Sequence, residues 1–272
     1  MPNPNPMYLE QMAFSREHAR AMFGGTDPKK IAMFIPLLRA DYGYVQTDVG
    51  KTLQSAEWST AVSAGGGPTA FAYSATRGGT LQGLTGTTDN DAIALYRAQT
   101  YLDPADNPFL IISWKANAVT GFSFEIGFSD PKSDEALPGV TDVDTPTVGN
   151  GATDIACLHL DTDQTLTTVA LVGDGTTGAA AKTDITTTPT GSTGFTPTAD
   201  TYQTYILGIR ANEAYAALFD GDGKVANIRW RVSNGPDSGV LVRLYALFRT
   251  RNTTSKTIDI RLFDFGWERS AT

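Results

Sequence analysis

Two stretches near the C-terminus restrict the fold most: Gly239-Val-Leu-Val-Arg-Leu-Tyr-Ala-Leu-Phe-Arg-Thr-Arg251 and Lys256-Thr-Ile-Asp-Ile-Arg-Leu-Phe-Asp-Phe-Gly-Trp267. In the first, Val240, Val242 and Leu244 alternate with Leu241, Arg243 and Tyr245; in the second, Ile258, Ile260 and Leu262 alternate with Asp259, Arg261 and Phe263. A period of two sends successive side chains to opposite faces of a strand, so each stretch reads as a strand with a buried and a more exposed side. Phe122, Phe124, Ile126 and Phe128 repeat the pattern against Ser123, Glu125 and Gly127.

Further strands are expected at Thr69–Thr76, Asp91–Ala98, Pro108–Asn117, Gly121–Ser129, Asp154–Asp161, Thr165–Val172, Tyr202–Ala211, Ala214–Phe219 and Val225–Ser233. So many strands without helical patterns between them predict an all-β, antiparallel sandwich. Asp220-Gly-Asp-Gly223 supplies the residues that a tight hairpin needs. Two long Thr/Gly/Asp/Pro-rich loops, Asp130–Thr153 and Gly173–Asp200, are expected to face solvent or a symmetry mate.

The N-terminal quarter reads differently. Tyr8, Leu9, Met12, Ala13, Ala19, Met22 and Phe23 have helical spacing, ended by Gly24-Gly25. Asp27 and Pro28 suit an N-cap and first helical position before Ile31, Phe34 and Ile35, and Pro36 disfavours continuation. With the glycine-rich break at Ala64–Pro68, the chain divides into a short helical or extended arm, 1–63, and a sandwich, 64–272. Such an arm serves either to cover an end of the sandwich or to dock on a partner. In the docking case Leu9, Met12, Phe23, Phe34 and Ile35 are the apolar anchors.

Charge excludes some partners. The net charge is −8, and residues 85–200 carry sixteen acidic and four basic side chains. Binding phosphate backbones calls for a basic footprint, which is absent. Arg243, Arg249, Arg251 and Arg261 are spread along strands, as on a solvated or interface face. The longest apolar run, Ile31–Leu38, is too short to span a bilayer, and Met1–Pro6 lacks the features of a secretory signal, which predicts a soluble product made in the cytoplasm. The single Cys157 excludes an intrachain disulfide and sits in an apolar run, where it packs as a small hydrophobe.

Catalytic patterns are sparse. His18 reads as a surface residue of the first helix; His159 and Cys157 point the same way from one strand, which offers little towards an activated thiolate. Glu125 leaves the apolar face and is expected to be solvated, while Asp259 and Asp264, an odd number apart, should point to opposite faces of a regular strand. Paired carboxylates for glycan hydrolysis are therefore not apparent. Asp142/Asp144, Asp161/Asp163 and Asp220/Asp222 are explained by turn chemistry without calcium. Trp58, Trp114, Trp230 and Trp267 are spread along the chain, the last three in or at the ends of strands, where core packing is the default. No catalytic residue, metal ligand or cofactor is expected.

The order of Leu95-Tyr-Arg-Ala98, Pro108–Lys115, Phe122–Asp130, Tyr205–Arg210, Ala217–Gly221 and Thr257–Phe265 resembles the concanavalin A-like jelly rolls, the lectin and laminin-G type, and in particular those of tailed-bacteriophage structural proteins. The resemblance spans roughly residues 69–268. It implies a non-enzymatic virion component, a capsid decoration or minor head protein assembled in the host cytoplasm, which binds the major capsid protein or other virion subunits and self-associates. The family's metal-ligating Asp and Asn, glycan-stacking aromatic and catalytic Glu pair cannot be placed on this sequence. The alternative is a carbohydrate-binding host-adsorption or glycan-binding protein on the same scaffold.

Overall fold

The computed structural model describes residues 58–65, 67–74, 80–98, 101–165, 168–175, 180–184, 195–219 and 225–267. The strands are β1 (Trp58–Val62), β2 (Thr69–Ser74), β3 (Thr80–Leu84), β4 (Ala92–Arg97), β5 (Phe109–Ala116), β6 (Phe122–Ser129), β7 (Val140–Asp142) and β8 (Thr147–Val148). They continue as β9 (Ile155–Asp161), β10 (Ala170–Asp174), β11 (Ala181–Asp184), β12 (Gln203–Arg210), β13 (Glu213–Phe219), β14 (Val225–Ser233), β15 (Arg243–Thr250) and β16 (Thr257–Gly266).

Fourteen of these strands build two seven-stranded antiparallel sheets, and β7 and β8 pair as a separate ribbon. The front sheet has the order β1-β4-β15-β6-β9-β10-β11, and the back sheet β14-β13-β12-β5-β16-β3-β2. The chain crosses from sheet to sheet between β1 and β2, β3 and β4, β4 and β5, β5 and β6, β11 and β12, β14 and β15, and β15 and β16, so neither sheet is complete without the other. This is the antiparallel sandwich that the alternation predicts, in the jelly-roll form that the resemblance implies. The β12–β13 hairpin turns on Ala211 and Asn212, at φ +51° and +61°. Both central residues have the positive φ of a two-residue turn whose twist matches its strands.

One face of each sheet meets the other in a continuous apolar core. Trp114 of β5 lies at its centre, with ring centroids 5.1 Å from Phe124, 5.1 Å from Phe248, 5.6 Å from Tyr205 and 6.0 Å from Phe122. Trp114 and Trp58 are buried, and Trp267 is partly buried with its ring stacked on Phe265.

Several expectations need correction. Trp58–Val62, assigned to the arm, is an edge strand of the front sheet paired with β4, so the sandwich extends N-terminal to residue 64. Every described position of β6 and β15 is buried on both faces, so neither strand has an exposed side. Asp130–Thr153, expected to face solvent or a symmetry mate, instead carries the β7–β8 ribbon, and its Val140 and Val143 pack with Ala92, Ala94, Ile155, Cys157 and Leu247 on the outer face of the front sheet. A register shift between Ile260 and Leu262 reverses the alternation of β16: the core-facing residues are Ile258 and Ile260, then Phe263 and Phe265. The parity that separated Asp259 from Asp264 therefore does not hold. The strand expected at Thr165–Val172 begins at Ala170, where pairing with His159 starts. The expected helices, His18 and the Asp220–Gly223 turn lie outside the described residues.

Candidate functional site

The outer face of the front sheet gathers a cluster of buried polar groups. Pairing places Leu247, Glu125 and His159 in one row across β15, β6 and β9; Tyr245, Gly127 and Cys157 in the next; and Arg249, Ser123 and Asp161 on the other side. Glu125, His159 and Cys157 are fully buried, and Tyr245 is 1% exposed. Glu125, expected in solvent, lies instead beneath the 130–153 segment, which runs over the sheet as a strap.

Backbone amides of the strap hold the Glu125 carboxylate. Gly139 N–H donates to Oε2 (2.8 Å) and Val140 N–H to Oε1 (3.0 Å), while the Tyr245 hydroxyl donates to Oε2 (3.1 Å). His159 Nδ1 lies 3.4 Å from Oε1, and neither ring nitrogen makes a hydrogen bond. Lys132, from the start of the strap, places its ammonium 4.4 Å from the Tyr245 ring centroid and donates to the Leu137 carbonyl at 2.7 Å. Burial alone raises the Glu125 pKa; His159, Lys132 and Arg249 outweigh it and hold the carboxyl at about 2. Burial also brings Lys132 down to about 8, against the pull of Glu125, and drives Cys157 and Tyr245 upward.

Two ion-pair groups flank this centre. Arg249 donates to Ser123 Oγ (2.9 Å) and Asp161 Oδ2 (3.1 Å), and Arg251 to Asp161 Oδ1 (2.9 Å). Arg243 pairs with Glu135 of the strap and lies 4.9 Å from the Tyr96 ring centroid. Arg243 and Arg249, expected on a solvated face, are 8% and 7% exposed. Arg261 is exposed, as expected.

A carboxylate, an imidazole, a phenol, an ammonium and a thiol in one cluster are the materials of acid–base chemistry. Here the Glu125 oxygens are occupied by the strap, and the thiol is held as the neutral form by burial. In this state the cluster fastens a loop to a sheet. Sequence reasoning set His159 and Cys157 on one side of a strand and left Glu125 apart in solvent, and so missed their union with Tyr245 and Lys132. The available signal was a Glu and a His, each alone in an apolar strand run.

A second polar group lies at the rim. Asp154 Oδ1 accepts from Asp237 N–H (2.9 Å), Asp174 Oδ1 accepts from Asn234 Nδ2 (3.5 Å), and Asp130 accepts from Asp154 N–H (3.1 Å). Burial raises the Asp174 pKa, and neighbouring Asp154 and Asp237 raise it further. Among the described residues no three His, Cys, Asp or Glu side chains are placed to hold a metal ion. Asp142 accepts from the amides of Asp144 and Thr145, and Asp161 from that of Asp163, as turn chemistry requires. The five expected anchors, Leu9, Met12, Phe23, Phe34 and Ile35, lie outside the described residues.

No family model matches the sequence, and no curated protein matches it. Solved structures resemble it in fold. Peanut lectin is 12% identical with a TM-score of 0.53, covering 80% of this chain and 94% of its own. The metal-free exoplasmic/lumenal domain of VIP36 is 9% identical with a TM-score of 0.52, covering 80% and 89%. A protein of unknown function from Shewanella oneidensis MR-1 is 13% identical with a TM-score of 0.50, covering 79% and 80%. The fold is a concanavalin A-like jelly roll; at these identities the likeness extends to the fold alone.

Proposed function

We propose that this protein is a non-enzymatic structural component of a tailed-phage virion, a decoration or minor head protein that binds the major capsid protein or neighbouring copies of itself. The observation that carries the non-enzymatic part is the closed front face. The central strands, which would floor a cleft in an open sandwich, are roofed by the strap, and the reactive groups beneath are engaged with it. What remains is a sandwich suited to contact through its surfaces and its N-terminal segment, with Leu9, Met12, Phe23, Phe34 and Ile35 as that segment's anchors. The placement in a virion rests on the sequence resemblance. Mass spectrometry of gradient-purified particles tests it: the chain at stoichiometric copy number supports this reading, and its absence from particles overturns it.

A second reading is glycan binding. It draws on the likeness to the VIP36 domain, solved with Ca2+ and Man3GlcNAc bound, at 9% identity and a TM-score of 0.51. It also draws on the partly exposed rim of Asp174, Asn234 and Asp237, whose acceptors and donors suit sugar hydroxyls. Saturable binding on a glycan array, weakened by Asp237→Ala, would favour this reading over the first.

A further inference from the structure

We infer that a second copy of this chain docks front to back on the first, its acidic strap against the basic outer face of the back sheet. Alternation sets that face. On β5, Leu110, Ile112 and Trp114 point into the core, so Ser113 and Lys115 point outward; on β16, Ile258 and Ile260 point inward and leave Asp259 and Arg261 outside. Ile209, Ala214 and Val232 likewise turn their neighbours Arg210, Glu213 and Arg231 outward. Among the described side chains of this face, Lys115, Arg210, Arg231 and Arg261 thus stand against Asp259 and Glu213, and both acids are engaged within the face. Lys115 Nζ lies 3.7 Å from the Asp259 carboxylate, which is 2% exposed and also accepts from Gln82 at 2.9 Å. Glu213 pairs with Arg231.

Arg261 is set to receive a carboxylate. Its Nε donates to Ser113 Oγ (2.9 Å), and its guanidinium lies 4.4 Å from the Tyr202 ring centroid, with Lys115 Nζ 5.2 Å from the same centroid. Arg243, Arg249 and Arg251 each pair with a carboxylate, whereas no carboxylate of the described residues lies in ion-pair range of the exposed Arg261. The two contacts fix the plane of the guanidinium. They leave its terminal amines, which can grip a carboxylate in two parallel hydrogen bonds, to an acceptor from outside.

The opposite face of the sandwich supplies such acceptors. The strap carries Asp130, Asp134, Glu135, Asp142 and Asp144 against a single basic residue, Lys132. Lys132 is 7% exposed and turned inward over the Tyr245 ring, and Glu135 pairs inward with Arg243. What the strap shows to solvent is therefore acid: Asp134 and Asp144 are exposed and Asp142 is half-buried. Beside it, Asp89 and Asp163, with side chains 54% and 41% exposed, share Arg251 with Asp161. Opposite charge on opposite faces is the complementarity that a front-to-back contact needs. Such a heterologous contact leaves one face open at each end, so copies add in a row or close a ring. This rests on the self-association in the proposed function and names the surfaces that make it.

Sedimentation velocity of the full chain over a wide concentration range tests it, with charge variants checked for folding by circular dichroism. The parent should form larger species that dissociate as salt rises from about 0.1 M to about 1 M, where the screening length falls from about 10 Å to about 3 Å. Arg261→Glu and Asp144→Lys should each weaken the association several-fold. An equimolar mixture of the two should associate again, because each keeps the face that the other has lost. Arg261 holds Ser113 and Asp144 accepts from the Thr165 amide, so if either variant folds poorly, Arg210→Glu and Thr145→Lys place the same charges at other exposed positions. A monomer at every concentration, an association indifferent to salt, or one weakened by variants of a single face would overturn the proposal. A monomeric chain present at stoichiometric copy number in particles would remove this contact and leave the virion reading standing; association without incorporation would do the reverse.

Discussion

Glu125 shows how one residue can link a loop to a sheet. Burying a carboxylate is costly unless its oxygens are filled, and here two strap amides and a tyrosine hydroxyl fill them. A carboxyl held at about 2 in the folded state, against 4.5 when free, binds no proton over a range where the unfolded chain does. Its contribution is therefore fully present above the unfolded value and is lost as pH falls through the folded one, a difference of about 3 kcal/mol. Stability should decline between about pH 5 and pH 2, and Glu125→Gln should flatten that decline while costing about 3 kcal/mol at neutral pH. Urea denaturation of both proteins across that range measures it. Parallel pH profiles for the two would assign the decline to other carboxyls.

At the scale of elements, the decisive contact is between β6 and β9 at Gly127. A Cβ built there would lie 2.0 Å from the Ala156 carbonyl oxygen and 2.6 Å from Cys157 Cα, and backbone cannot swing aside as a side-chain tip can. Gly127→Ala should thus push the central front strands apart, weaken the neighbouring Glu125–His159 row, and cost about 3 kcal/mol or more. A chemical-denaturation midpoint equal to the parent's would mean that the two strands yield freely. The period-two pattern of β5, β6, β15 and the first half of β16 was legible because the core-facing alternate positions of each hold apolar residues, such as Phe122, Phe124, Ile126 and Phe128. The strap was not, because its hold depends on main-chain amides, and any residue type supplies those. Strands β3 and β11 escaped notice for a related reason. Thr80–Leu84 follows a glycine pair, and Ala181–Asp184 has little strand preference of its own, so pairing with β2 and β16 in one case and β10 in the other makes them strands. The bulge in β16 likewise leaves no mark that sequence parity can read.

For the whole molecule, the frequent crossings between sheets mean that no boundary can be drawn through the sandwich, only at its start. The glycine-rich break at 64–68 suggested a start at residue 64, whereas packing sets it at or before Trp58. That side chain is 4% exposed, its ring centroid lies 4.8 Å from that of Phe263, and the Arg97 guanidinium is held 5.1 Å from the Trp58 centroid and 4.8 Å from that of Phe265. A strand at the edge of one sheet thus inserts its first residue between both. Two shortened chains, one beginning at Glu57 and the other at Ala64, differ in the sandwich only by β1 and its link, and the loss of the residues before Glu57 is common to both. Removing the Trp58 side chain from the core carries a cost of about 3 to 5 kcal/mol, and the unpaired edge of β4 adds to it. The chain from Ala64 should therefore unfold at clearly lower denaturant and lose more near-ultraviolet dichroism than the chain from Glu57. Equal midpoints would return β1 to the arm and move the start of the sandwich to the glycine-rich break.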